Sequence, residues 1–204
     1  MALMKSVPAL FILLFPFVLC ADDGATTWLS KLKPGLTSAS PLPDSVSPDG
    51  KWALYDLNAY DMGTPTTATA MAVADTHRST LLGILDCITQ DSVDAPLKTY
   101  LTIKWSPDSE FLALHDSTSK NSVLQIYKIT ATELKKLPVP DLRRLAADQL
   151  QIPENKITHS GQVPMEWSKS GDLVVRVRLS LDGASLQKDF TIHVSPEGVV
   201  QISP

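Results

Sequence analysis

From Trp52 onward, apolar and polar residues alternate mostly with a period of two, the spacing of strands that bury one face. Strands are predicted at residues 52–57, Thr69–Ala74 and Thr80–Ile88 in a first group, and at Tyr100–Trp105, Phe111–His115 and Val123–Ile129 in a second. A third group comprises Val163–Trp167, Leu173–Leu181, Lys188–Val194 and Val199–Ile202. The clearest is Leu173–Leu181, which puts Leu173, Val175, Val177, Leu179 and Leu181 on one face and Val174, Arg176, Arg178 and Ser180 on the other. That is the pattern of a half-buried strand.

One stretch breaks the alternation. Between Pro140 and Pro153, Leu142, Leu145, Ala146, Gln149 and Leu150 fall at helical spacing, Asp141 can cap the start, and Pro153 forces a stop. A short helical insertion at about 141–151 is therefore expected. Its Arg143-Arg144 pair reads as two solvated charges, with a grip on an acidic partner as the alternative.

A turn phrase recurs at the heads of these groups. Ser47-Pro48-Asp49-Gly50 precedes Trp52, Ser106-Pro107-Asp108-Ser109 precedes Phe111, and Ser168-Lys169-Ser170-Gly171 precedes Leu173. Proline presets the first turn position, aspartate bonds the backbone ahead of it, and glycine accepts the positive φ that starts a new strand. The copies start 59 and 62 residues apart, longer than the roughly 40–45 residues of a compact propeller blade. A fourth echo, Ser195-Pro196-Glu197-Gly198, follows too soon for a further unit and reads as a hairpin turn.

Trp105-Ser106-Pro107-Asp108-Ser109-Glu110-Phe111-Leu112-Ala113 and Ser47-Pro48-Asp49-Gly50-Lys51-Trp52-Ala53 resemble the WD40-like propeller repeat of TolB-type periplasmic proteins and of the propeller domains of prolyl oligopeptidases. The third copy departs, with Lys169-Ser170 in place of proline and aspartate. The resemblance implies blade-like antiparallel sheets; with the three turn copies and the helical stretch, the expectation is an all-β fold with one short helix, a propeller-like array of about three sheet units at about 47–104, 105–166 and 167–204. Closed propellers run to about 4–8 blades, so the array is open or incomplete, pairs with another copy, or splits into smaller blades.

The N-terminus reads as an export signal over residues 1–21, with Lys5 first, an apolar run from Ala9 to Leu19, and Cys20-Ala21 before Asp22-Asp23. A spanning helix needs about 20 apolar residues. This run is shorter and contains Pro16, so a retained anchor is the weaker alternative. Lipidation at Cys20 is a further alternative, against which Leu19 stands where a small residue belongs. Residues 22–46 read as an extended lead-in whose Trp28-Leu29 offers an apolar anchor, and residues 47–204 as a single propeller-like domain.

Charge and cysteine content narrow the function. The chain has 18 basic and 22 acidic residues, and the basic ones are scattered, so nucleic acid is not an expected partner. With Cys20 removed, Cys87 has no disulfide partner and reads as a small buried hydrophobe. No G-x-S-x-G elbow or glycine-rich phosphate loop is present, and no separate hydrolase domain is expected. His77, His115, His159 and His193 lie too far apart for a paired metal motif, and Asp56–Gly63 lacks the ligands of a calcium loop. No catalytic, cofactor or metal residues are assigned. The expectation is a non-enzymatic, secreted or periplasmic scaffold that binds another envelope or secreted protein, without a membrane span once the signal is removed. The alternative is a small hydrolase or lyase gathering residues such as His77, Asp91, His115, His159 and Arg178.

Overall fold

The alternating segments pair within their own group, almost always with the strand next in sequence, and give three antiparallel sheets; the exception is a two-residue strand of the first sheet, Ile88–Thr89, which pairs two strands back. The computed structural model describes residues 40–42, 44–60, 67–77, 80–85, 88–89, 101–116 and 122–203. The first sheet holds β1 (Ser40–Pro41), β2 (Trp52–Tyr60), β3 (Thr67–Asp75), β4 (Thr80–Ile84) and β5 (Ile88–Thr89). The second holds β6 (Leu101–Trp105), β7 (Phe111–Asp116), β8 (Leu124–Ile129) and β9 (Leu134–Leu137). The third holds β10 (His159–Trp167), β11 (Asp172–Leu181), β12 (Ala184–Val194) and β13 (Val200–Ser203). The helix α1 (Leu142–Gln149) lies between the second and third. The described fold is all-β with one α-helix, and none of the three sheets closes on itself.

Burial explains the strand sequences. β7 reads Phe-Leu-Ala-Leu because both faces of the second sheet are covered. Leu112 and Leu114 pack with Trp52, Leu54 and Val73 of the first sheet, whereas Phe111 and Ala113 pack with Leu173, Val175 and Ile192 of the third. β11 keeps its alternation because only one face is covered: Leu173, Val175, Val177 and Leu179 are buried, and Arg176 and Asp189 pair across the outer face. Fully burying such an aliphatic side chain is worth about 1.5–3 kcal/mol, so the two cores are the main stabilising feature.

α1 closes the larger core by burying Leu142, Ala146 and Ala147 against it. Asp141 caps the start, its Oδ1 accepting from the Arg144 amide at 3.0 Å. The end is set two residues before Pro153: Gln151 takes a φ of +55°, and the Ile152 amide returns to the Ala147 carbonyl at 2.8 Å.

Several elements differ from those the sequence predicts; β2 runs on to Tyr60, and β12 starts at Ala184 rather than Lys188. The segment predicted as one strand from Thr80 to Ile88 splits into β4 and β5, with Leu85 between them buried and its amide on the Met71 carbonyl. β9 is a short edge strand, whose Leu-Lys-Lys-Leu sequence carries little alternation. β10 starts at His159, four residues before the predicted Val163, and accommodates Pro164 through a register shift between Pro164 and Glu166. Each sheet also begins one strand before its repeat turn, with β1, β6 and β10.

Candidate functional site

The repeat turns share one hydrogen-bond scheme. In the first, the Ser47 hydroxyl donates to Asp49 Oδ1 (2.6 Å) and accepts from the Trp52 amide (2.9 Å), while the Lys51 amide donates to Asp49 Oδ1 (3.0 Å). In the second, Ser106 donates to Asp108 Oδ1 (2.5 Å) and accepts from the Phe111 amide (2.9 Å), and the Glu110 amide donates to Asp108 (3.1 Å). In the third, Ser168 accepts from the Asp172 amide (3.0 Å), and Ser170 takes over the polar link by donating to Asp172 Oδ2 (2.8 Å). Gly50, Ser109 and Gly171 all take positive φ, at +74°, +63° and +84°. The phrase at Ser195 uses the same device, with Ser195 bonded to Glu197 and the Val199 amide, but it joins β12 to β13 inside the third sheet.

Bonds of matching kind run from sheet to sheet. Trp105 Nε1 donates to the Ser45 carbonyl and Trp167 Nε1 to the Lys104 carbonyl, each at 3.0 Å. Trp167 also stacks on Phe111, with ring centroids 6.1 Å apart. The matching position in the first turn is Val46, which is 51% exposed. Ser47, Pro48, Asp49, Gly50, Ser106, Pro107, Asp108, Ser168 and Gly171 thus occupy turns that set strand geometry, and none of them lines the cleft described next.

That cleft, of about 350 Å³, opens where β8, α1 and β10 meet. Val123, Val139 and Pro140 form an apolar wall, Ser160 and Gln162 the polar side, and Asp141 and Arg143 complete the lining. The polar side is unexpected. Ser160 and Gln162 pair with Leu179 and Val177, so the pleat directs them to the buried face of the third sheet. Gln162 is 5% exposed, and its Oε1 accepts from the Leu124 amide at 3.2 Å. Behind it, His115 Nε2 and Ser122 Oγ lie 2.8 Å apart, both residues being buried. The pair lies against β10 at Gly161, where a Cβ would meet Ser122 Oγ at an ordinary contact distance of 3.4 Å. Beginning the strand at Val163 passes over Ser160 and Gln162, although the alternation of Ser160, Gln162 and Pro164 is present in the sequence.

The histidines do not converge. His115 is in the buried seam, His77 and His159 are exposed, and His193 is exposed on β12 with its Nδ1 2.8 Å from Asp172 Oδ1. Arg178 is exposed on the third sheet, and Asp91, Cys20, Cys87 and the predicted signal lie outside the described residues. Among the described residues no group of three His, Cys, Asp or Glu is arranged to hold a metal ion, and no helix is long and apolar enough to cross a membrane.

The shifted acids belong to turns and strand pairs. The His193 ring, and then the Ser170 hydroxyl, hold the Asp172 carboxyl below the ordinary carboxylate value. Arg176 does the same for Asp189 through a two-pronged contact of 2.8 and 2.9 Å.

No family model matches the chain, and no curated protein does. Two solved structures align with much of it. TolB from Acinetobacter baumannii aligns with 81% of this chain at 16% identity and a TM-score of 0.35. A protein from a structural and mechanistic study of two prolyl endopeptidases aligns with 78% of it at 14% identity and a TM-score of 0.38. The present chain spans 32% of that TolB and 20% of the endopeptidase.

Proposed function

We propose that this chain is an exported, non-enzymatic β-repeat protein that binds another protein of the cell envelope or exterior. The observation that carries the reading is the cleft at the junction of β8, α1 and β10, whose apolar wall ends in a Val123 that is 57% exposed. Exposed apolar side chains beside polar groups suit a protein partner, and stacked repeat sheets supply a rigid frame for them. The leader-like residues 1–21 support export.

Val123→Glu tests the binding reading. The wild-type protein should capture a stoichiometric partner from an envelope or culture fraction, and the variant should lose it while unfolding at the same temperature. Equal capture by both would place binding elsewhere. Mass spectrometry of the mature N-terminus tests export, with cleavage after Cys20 or Ala21 expected and a diacylglyceryl adduct on Cys20 marking lipidation instead.

A second reading, hydrolysis, has one observation behind it, the 2.8 Å approach of His115 and Ser122. Both side chains are buried, which suits a structural hydrogen bond better than a nucleophile open to substrate. Covalent labelling of Ser122 by a fluorophosphonate would revive it.

A further inference from the structure

Arg143 stands in the first turn of α1 and lines the cleft, half-buried beside Gln162. Its Nε is buried and meets no hydrogen-bond partner. Among the described residues its guanidinium also forms no ion pair. The nearby acid, Asp141, caps the helix through Oδ1 and the Arg144 amide and forms no ion pair with Arg143. A buried guanidinium N–H without an acceptor is costly, and native proteins rarely leave one so.

We infer that the cleft captures a carboxylate of a partner protein, with Arg143 as the pairing group. This rests on the scaffold reading above. The chemistry of the lining selects the ligand. Gln162 turns its carbonyl oxygen to the Leu124 amide, and its amide N–H2 adds a donor to the site. Arginine is a donor only. An ionised carboxylate is an acceptor only, and its two oxygens match the planar fork of a guanidinium.

Size and charge narrow it further. At about 350 Å³ the cleft is at the lower limit for a small-molecule pocket and takes a single residue of a partner. The wall of Val123, Val139 and Pro140 then packs on the residue that carries the acid. Asp141 at the rim disfavours a dianionic phosphate, whose second charge Arg143 alone does not offset. The carboxylate has two protein sources, an Asp or Glu side group and the terminal α-carboxylate of a polypeptide.

Three acetylated peptides distinguish them: Ac-Ala-Val-Ala as the free acid, the same peptide as the amide, and Ac-Ala-Val-Glu-Ala as the amide. Each is titrated into the 15N-labelled full-length protein, following the Nε–H resonance of Arg143 and the side-chain amide of Gln162. The free acid, the glutamyl peptide or both should shift these resonances with a millimolar dissociation constant, and the neutral amide should not. Arg143→Met keeps the packing of the stem, and Arg143→Lys keeps the charge without the fork; each should weaken binding about tenfold or more with an unchanged unfolding temperature. Equal binding of the neutral amide, wild-type affinity in Arg143→Lys, or no binding of either acid at about 10 mM each overturns the site.

Partner capture separates this proposal from the one it rests on. Full capture by Arg143→Met would leave the scaffold reading standing and remove the carboxylate pocket. Acid-specific peptide binding without any captured partner would do the reverse.

Discussion

The backbone amide of Asp49 donates to the hydroxyl of Ser109 across 3.1 Å, tying the first repeat turn to the second. Ser109 holds the position that glycine occupies in the first and third turns, at a φ of +63°. Ser109→Ala should destabilise the protein by about 1 kcal/mol, since the bond is lost and the backbone cost stays. Ser109→Gly loses the same bond but relieves the left-handed conformation, so it should be the more stable of the two by about 1 kcal/mol in urea unfolding. An alanine variant as stable as the glycine one would refute this account of the turn.

Trp167 should tolerate truncation in two measurable steps. Trp167→Phe removes the N–H that reaches the Lys104 carbonyl and should cost about 1 kcal/mol. Trp167→Ala also removes the ring stacked on Phe111 and should cost about 3 kcal/mol. If phenylalanine proved as costly as alanine, the hydrogen bond rather than the packing would dominate.

Gly83 on β4 lies against Leu134 of β9. A Cβ there would stand 2.9 Å from Leu134 Cβ, an atom fixed to the backbone. Gly83→Ala should therefore cost about 1–3 kcal/mol by overpacking. The double variant Gly83→Ala with Leu134→Ala should be less destabilised than the two single effects added together, which a double-mutant cycle reads directly.

Acid should loosen the third sheet. Asp172, held down mainly by His193, and Asp189, held down mainly by Arg176, both have folded values below the ordinary carboxylate range. A lowered folded value means that each group's contribution is present above the unfolded pKa of about 3.9 and is lost as pH falls through the folded one. The unfolding temperature should drop below about pH 4. Asp189→Asn should flatten that acid limb, and added salt should mimic it in part because the pair is exposed.

How far the sequence reaches is clearest in three places. Leu173–Leu181 was legible residue by residue because one covered face leaves a two-residue period, and α1 because Asp141 and Pro153 bracket a helical stripe. The repeat turns were legible because their bonds join residues within five positions of one another. β9 was not, since a short edge strand of Leu134–Leu137 is stabilised by its neighbour β8 and by packing at Gly83 rather than by its own pattern. The cleft was hidden for a similar reason: Val123, Arg143 and Gln162 come from three separate segments, and only packing of the third sheet against the second brings them together. Arg143 was visible as a charge, and its buried Nε was not.

The meander order has a consequence for how the protein reaches this state. Every ladder joins strands of the same group, so each hairpin can form as soon as its two arms have left the ribosome or an export channel. The second sheet cannot persist alone, because both of its faces are apolar and one remains bare until the third sheet arrives. The exposed interval therefore ends only with the strands of the third sheet, and a nascent polypeptide stalled before β11 presents Phe111, Ala113 and Ile126 to chaperones or to aggregation.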